Sequence, residues 1–163
     1  MILSLIRKLA TLCFIGGFAA HFAAQAAAPA PLSETLAHEA QLSTFNRLII
    51  EAGLQDELRA AGPLTVFAPT DEAFKAVPAK TLDSLQADKE QLKAVLRFHI
   101  LAAKLNAADI KPGASATLQG ASLTLARAGE FVTVEEAMVQ RADVPASNGV
   151  VHVIDRVLLP PKK

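Results

Sequence analysis

The chain of 163 residues has no tryptophan, no tyrosine and one cysteine, Cys13. That cysteine lies in an apolar stretch close to the start. Everything after it is without thiols, which excludes a disulfide framework and any thiolate metal site. Rings that stack on bases are scarce, and no Lys/Arg stripe is visible. Recognition of nucleic acid by stacking and phosphate neutralisation is therefore not expected. Charge of one sign is also missing, with 16 basic against 16 acidic side chains. After residue 26 no apolar run approaches the ~20 residues that cross a bilayer, so no transmembrane span is expected in the mature chain.

The motifs of catalysis are absent as well. There is no G-x-S-x-G elbow, no P-loop and no H-E-x-x-H. Ser147 and His152 stand five apart across a turn, a spacing that does not set a base beside a nucleophile. His38, His99 and His152 lie at none of the short spacings that pre-form a metal site. The sequence thus reads as a non-enzyme, with no catalytic residue, no metal ligand and no cofactor.

What is present begins with a leader. Arg7 and Lys8 precede the apolar run Leu9 to Ala20, and Ala24-Gln25-Ala26 has the small-x-small form of a signal cleavage site. Leu12 before Cys13 does not fit a lipid-attachment site. Cleavage after residue 26 would leave 137 residues with 14 basic and 16 acidic side chains, a net of −2. That length suits one domain with an adequate core. The expected organisation is a signal peptide over 1–26, an extended or disordered Ala/Pro linker over 27–31, one domain over 32–160 and a tail over 161–163. The protein is expected to be exported, to the periplasm or the extracellular space.

Within the domain the apolar period changes from 3.6 to 2. Leu42, Phe45, Leu48, Ile49 and Ala52 recur at helical spacing, and Gly53 stops the helix. Leu54 to Ala61 reads as a short helix. Leu64 to Ala68 reads as a strand ended by Pro69. Thr70 caps a short helix with Asp71 and Glu72 in its first turn and Phe74 turned inward. Pro78 opens another helix, and Asp88 with Gln91 forms a capping box before Leu92, Val95, Leu96 and His99. Later, Leu123 and Leu125 alternate with polar neighbours, Arg127 to Glu130 offers a turn, and Phe131 to Val134 and Met138 to Ala142 read as strands. Asn148-Gly149 is expected to supply a positive-φ turn before the strand-like run from Val150. Helices gathered early and strands late predict an α+β domain with antiparallel pairing. The Phe residues at 45, 67, 74, 98 and 131 are expected in the core.

Two segments stand out, about eighty residues apart. One is Thr65 to Phe74, with Thr65, Phe67, Pro69, Asp71 and Phe74. The other is Ser147 to Pro160, with Asn148, Gly149, His152 and Asp155. Phe98-His99 lies between them, and Ala142 to Ser147 leads into the second. Together they resemble the ordered motifs of the fasciclin domain family, over roughly Leu32 to Pro160. The resemblance implies a wedge of two β-sheets with helices packed along one edge. It also implies adhesion or binding to proteins or polysaccharides of the cell surface or matrix. Some family members instead carry a small apolar ligand such as a carotenoid, which is the alternative reading. Three departures stand out. Phe98 replaces a Tyr, Glu135-Glu136 stands where many members have Asn-Gly, and Asp109-Ile110 matches an animal partner-contact pair only as a dipeptide.

From their own surroundings the motif residues read as fold-makers. His152, between Val150 and Ile154 on one strand face, and His99, at the end of an apolar helix face, read as buried hydrogen-bonded rings. Asp71 reads as a helix cap and Asp155 as a turn or pairing residue. No contact residue for a partner follows from the sequence. By the resemblance, exposed positions near the first segment and around Lys104 to Gly113 are the candidates.

Overall fold

A computed structural model describes residues 29–60 and 62–161. The leader, the first two linker residues, Ala61 and the last two residues lie outside the described residues. Six helices precede most of the strands: α1 Leu32–His38, α2 Ser43–Ala52, α3 Gln55–Arg59, α4 Asp71–Ala76, α5 Ala79–Ala87 and α6 Lys89–Phe98. The strands are β1 Leu64–Pro69, β2 Ile100–Leu101, β3 Gly113–Ala116, β4 Ser122–Ala128, β5 Phe131–Val134, β6 Ala137–Ala146 and β7 Gly149–Ile154. Ala30, in the expected linker, is tied to the domain: its carbonyl accepts from Ser147 N at 2.9 Å.

The helices form where the apolar period places them. α2 buries Phe45, Leu48, Ile49 and Ala52 on one face, and Gly53, at φ 71°, ends it. Burying each large side chain of that face contributes about 2 kcal/mol. α6 buries Leu92, Val95 and Leu96, and Asp88 Oδ1 accepts from Glu90 N at 3.0 Å and from Gln91 N at 3.3 Å. The Gln91 amide returns to the Asp88 carboxylate at 3.0 Å, so the box closes side chain to side chain.

The strands run in the order β2-β1-β7-β6-β5-β4-β3. The expected antiparallel pairing is corrected at one place: β1 and β7 pair in parallel, from Leu64 opposite Gly149 to Pro69 opposite Ile154. Both strands are buried along their whole length. A continuous apolar run is the signature of a strand covered on both faces, but it does not say which strand lies beside it or in which direction.

β6 is shared by the two leaves of the wedge. Its start pairs with β5 and its remainder with β7, with register shifts between Val139 and Arg141 and between Arg141 and Val144. Such bulges bend and twist a strand, which lets one strand serve two leaves. The far edges meet again where Leu101 bridges Thr117 and Leu118 N donates to Ile100 O at 2.8 Å. One core lies between the helices and the β1/β7 leaf, around Phe45, Ile49, Val66, Leu96 and Val151. The other fills the wedge, around Phe67, Phe98, Leu123, Leu125, Val132 and Ile154.

Phe131 is the exception among the five phenylalanines: it is 66% exposed. Strand alternation decides this. Val132 and Val134 point into the wedge, so Phe131 must point out. The Glu135-Glu136 hairpin keeps a two-residue loop between Val134 and Ala137, with Glu135 at φ 54°. Its carboxylate accepts from Thr124 N at 2.6 Å, which compensates in part for the left-handed backbone.

Candidate functional site

The two sequence segments become neighbours through the parallel β1–β7 pair. Phe67 stands opposite His152 in that register. Their rings stack with centroids 5.4 Å apart and planes 23° from parallel. Thr65, fully buried, donates from Oγ1 to Ala103 O at 2.6 Å and accepts from Leu105 N at 2.9 Å. His152 donates from Nε2 to Leu105 O at 2.7 Å, and its Nδ1 accepts from Asp143 N at 3.3 Å. One residue from each segment therefore grips the same loop, which follows β2.

That loop, residues 102–112, is the surface the motif residues build. Asp143 Oδ1 accepts from Ala107 N at 2.7 Å, and Arg127 donates to Ala108 O at 2.8 Å. Asn106 donates to Asp109 Oδ2 at 3.0 Å. Ile110 is buried as an anchor, while Lys104, Asp109 and Lys111 are exposed. Asp143 holds the loop, a role the sequence reading did not give it. Its φ of 57° is tolerated by Asp better than by most side chains, and this turns its carboxylate toward the loop.

The expected turn at Asn148-Gly149 is also corrected. Neither residue has positive φ; Gly149 is the first residue of β7. A Cβ there would collide with the Leu64 carbonyl and lie 3.0 Å from Leu32 Cδ1. Glycine is needed because two backbones approach closely, not because the chain reverses. Asn148 beside it joins three segments. Its Oδ1 accepts from Leu32 N at 2.9 Å, and its Nδ2 donates to Leu58 O at 2.6 Å and Ala60 O at 3.1 Å. Asp155 pairs with β6, its Oδ1 accepting from Met138 N at 2.8 Å.

In the first segment Thr70 Oγ1 accepts from Ala73 N at 3.2 Å and caps α4. Pro69 closes β1 before it, and Phe74 is buried against the helices. Asp71 does not cap its own helix. Its carboxylate reaches α2, accepting from Thr44 N at 2.7 Å and Ser43 Oγ at 2.8 Å. The residue before α2, Leu42, offers no side-chain acceptor of its own. Burial acts to raise the Asp71 pKa, but the bonds from Thr44 and Ser43 and the charge of Lys75 outweigh it and hold it below the usual value. Asp71→Ala is expected to lower stability by about 1 kcal/mol at neutral pH, the usual loss for a helix cap, read as a shift of the urea midpoint. Because the pKa is depressed, this contribution is present above the ordinary carboxylate range and fades as pH falls below it.

His99, buried in the core, is a second lock. Its Nδ1 donates to Val95 O at 2.8 Å and its Nε2 accepts from Leu158 N at 3.0 Å. The ring thereby ties the end of α6 to the segment following β7, beside Phe45. Burial drives its pKa down to about 4, against the opposing bond to Val95. His152 is shifted down as well, by burial first, with Leu105 O and the Asp143 charge opposing. Both imidazoles are neutral, and each has one nitrogen donating and the other accepting. Neither has a lone pair left for a metal or a substrate proton. Among the described residues no three His, Asp or Glu side chains converge as a metal site.

The family model for the fasciclin domain matches residues 40–160. A Synechocystis protein, "Protein sll1483", is 44% identical over 130 residues, covering 78% of this chain and 72% of that protein. The "Cell surface glycolipoprotein MPB83" of Mycobacterium bovis is 37% identical over 147 residues, 90% of this chain and 64% of that protein. Among solved structures, a domain pair from the insect cell adhesion molecule fasciclin I superposes with a TM-score of 0.65 at 18% identity, over 80% of this chain and 51% of that one. At that identity the likeness is one of fold.

Proposed function

The chain belongs to the fasciclin domain family, and from that we propose that it is a non-enzymatic binding domain, exported to the periplasm or cell exterior, that supports adhesion to proteins or polysaccharides of the cell surface or matrix. The observation that carries this reading is the loop 102–112. Thr65, His152, Asp143 and Arg127 hold it at four places, so its exposed charges at Lys104, Asp109 and Lys111 are presented with little ordering entropy left to lose on binding. The names of relatives agree with such a role: one is a cell surface protein, and the superposed domains come from an adhesion molecule. Among the described residues no helix is long and apolar enough to cross a membrane.

The test is retention of the purified protein on native envelope and extracellular material. The triple variant Lys104→Ala, Asp109→Ala, Lys111→Ala should lose most of that retention while keeping the wild-type melting temperature. Unchanged retention would remove the loop from the interface, and no retention of the wild type would sink the adhesive reading.

A second reading, carriage of a small apolar ligand, is favoured by one feature. α5, α6 and the segment Leu159–Pro161 border an open groove of about 650 Å³ lined by Leu85, Ala94, Val95 and Leu159 together with Lys80, Thr81, Ser84 and Gln91, a size within the usual range for ligand sites. A visible absorption band or bound lipid in protein purified from its source would support it. Failure to take up pigment or fatty acid from detergent solution would argue against it.

A further inference from the structure

The outer face of the β3–β6 leaf carries no charged side chain at its outward strand positions. Alternation along β4 and β5 puts Leu123, Leu125, Val132 and Val134 inside the wedge. It puts Ser122, Thr124, Ala126, Ala128, Phe131 and Thr133 outside. The strand registers place these in rows: Ala126 beside Thr133 and Thr133 beside Met138, with Ala128 beside Phe131 and Ala114 beside Thr124. Phe131 and Met138 are 66% and 46% exposed. The charges at the rim are Glu135, on Thr124 N, Arg127, on the carbonyls of Gly129 and Ala108, and Glu130, exposed in the turn before Phe131.

An uncharged face on an exposed leaf is unusual, since exposed sheets are ordinarily studded with charge. Its composition is small side chains, hydroxyls and one free aromatic ring. Four strands ~4.8 Å apart and a few residues long make a platform on the order of 300 Å². A stable protein interface needs roughly 800 Å² from each partner, so the platform by itself is too small to hold a second copy or another protein. Without charge it offers nothing to an acidic glycan, a nucleic acid or an anionic lipid headgroup. A sugar ring, by contrast, has an apolar C–H face that a free phenyl ring can cover, and hydroxyls that Thr and Ser can meet in either donor or acceptor sense. Neutral polysaccharide also runs as a ribbon, which suits a strip rather than a deep pocket.

We infer that the outer β3–β6 face, centred on Phe131 and Thr133, is a docking platform for an uncharged polysaccharide chain. This rests on reading the chain as a binding domain, and adds to the loop a second surface with its own partner chemistry.

The experiment is depletion of the purified full chain by insoluble neutral glycans (cellulose, curdlan and chitin) and by a carboxymethylated cellulose of equal surface. The platform predicts retention on at least one neutral polymer and at least tenfold weaker retention on the acidic one. Phe131→Ala should weaken it about tenfold and Ala126→Glu should abolish it, while the triple loop variant should bind as the wild type does. Both positions are exposed, so melting temperatures should stay unchanged and exclude misfolding as the cause. No retention on any neutral polymer overturns the inference, as does retention indifferent to both substitutions. A concentration-dependent dimer in sedimentation that Ala126→Glu dissolves overturns it too, by making the face a self-contact. If the chain fails here yet binds envelope material through the loop, the platform falls and the adhesive reading stands.

Discussion

Gly149→Ala is expected to lose about 3 kcal/mol of stability or more, read as a large fall in the urea midpoint. The new methyl group would meet the backbone carbonyl of Leu64, not the movable end of a side chain, with Leu32 Cδ1 a further close contact at 3.0 Å. Overpacking of a rigid site ordinarily costs 1–3 kcal/mol. Here relief requires parting β1 from β7, the central parallel pair on which both cores are built. Gly53→Ala is the matched control. That glycine is left-handed at φ 71° with nothing within 4 Å of its Cβ position, so the change should cost only the 1–2 kcal/mol of the strained backbone. Urea denaturation of the two variants would separate these mechanisms. A Gly149→Ala protein within 1 kcal/mol of wild type would show that the close approach at Leu64 does not constrain the sheet.

These two glycines also show how far the sequence could be read. At Gly53 the local signal sufficed, because a helix stop after a periodic apolar face is decided within one turn of chain. At Gly149 the local signal misled. Asn-Gly is good turn chemistry, but the position is governed by Leu64 and Leu32, far away in sequence and adjacent only after β1 and β7 pair. Asp71 follows the same rule. Its place in a first helical turn was legible, yet the helix whose amides it satisfies is α2, and only tertiary packing brings Ser43 and Thr44 within reach. Thr70, Asp88 and the buried faces of α2 and α6 needed no such knowledge and were readable from spacing alone. Phe131 was a matter of strand parity: with Val132 and Val134 inward, it had to face out, and that exposed position centres the proposed platform. The resemblance pointed to the loop around Lys104 to Gly113, but its grip by Thr65 and His152 was out of reach for the reason that hid the parallel pair. Hydrogen bonds that span 40 to 47 positions leave no trace in the pattern of neighbouring residues.

The fold should also be acid-sensitive in a window that belongs to its histidines. An unfolded chain protonates histidine near pH 6.5, whereas His99 in the folded protein takes a proton only at about 4. The folded state thus binds fewer protons between these values, so stability must fall as pH falls through the window. At 1.36 kcal/mol per pH unit, His99 alone removes about 3 kcal/mol from pH 6.5 to 4. His152, depressed in the same direction, adds to the loss. Carboxylates contribute mainly below about pH 5, so the range 6.5 to 5 reports chiefly on the imidazoles. The structural cause is specific. Protonated Nε2 of His99 can no longer accept from Leu158 N, which frees the segment after β7 from the end of α6. Melting temperatures at pH 7.5, 6.5, 5.5 and 4.5 should decline steadily below 6.5. His99→Gln should be less stable at pH 7.5, because one side-chain amide does not reproduce the spacing of the two ring nitrogens and leaves Val95 O or Leu158 N without its partner, a change of about 1–3 kcal/mol. It should also decline less steeply, since the remaining slope is left to His152. A flat profile for the wild type would mean that both rings accept protons without leaving their partners. An equal slope in His99→Gln would mean that the acid response belongs to His152 alone, whose protonation would loosen the loop at Asp143 while leaving the Leu158 lock closed.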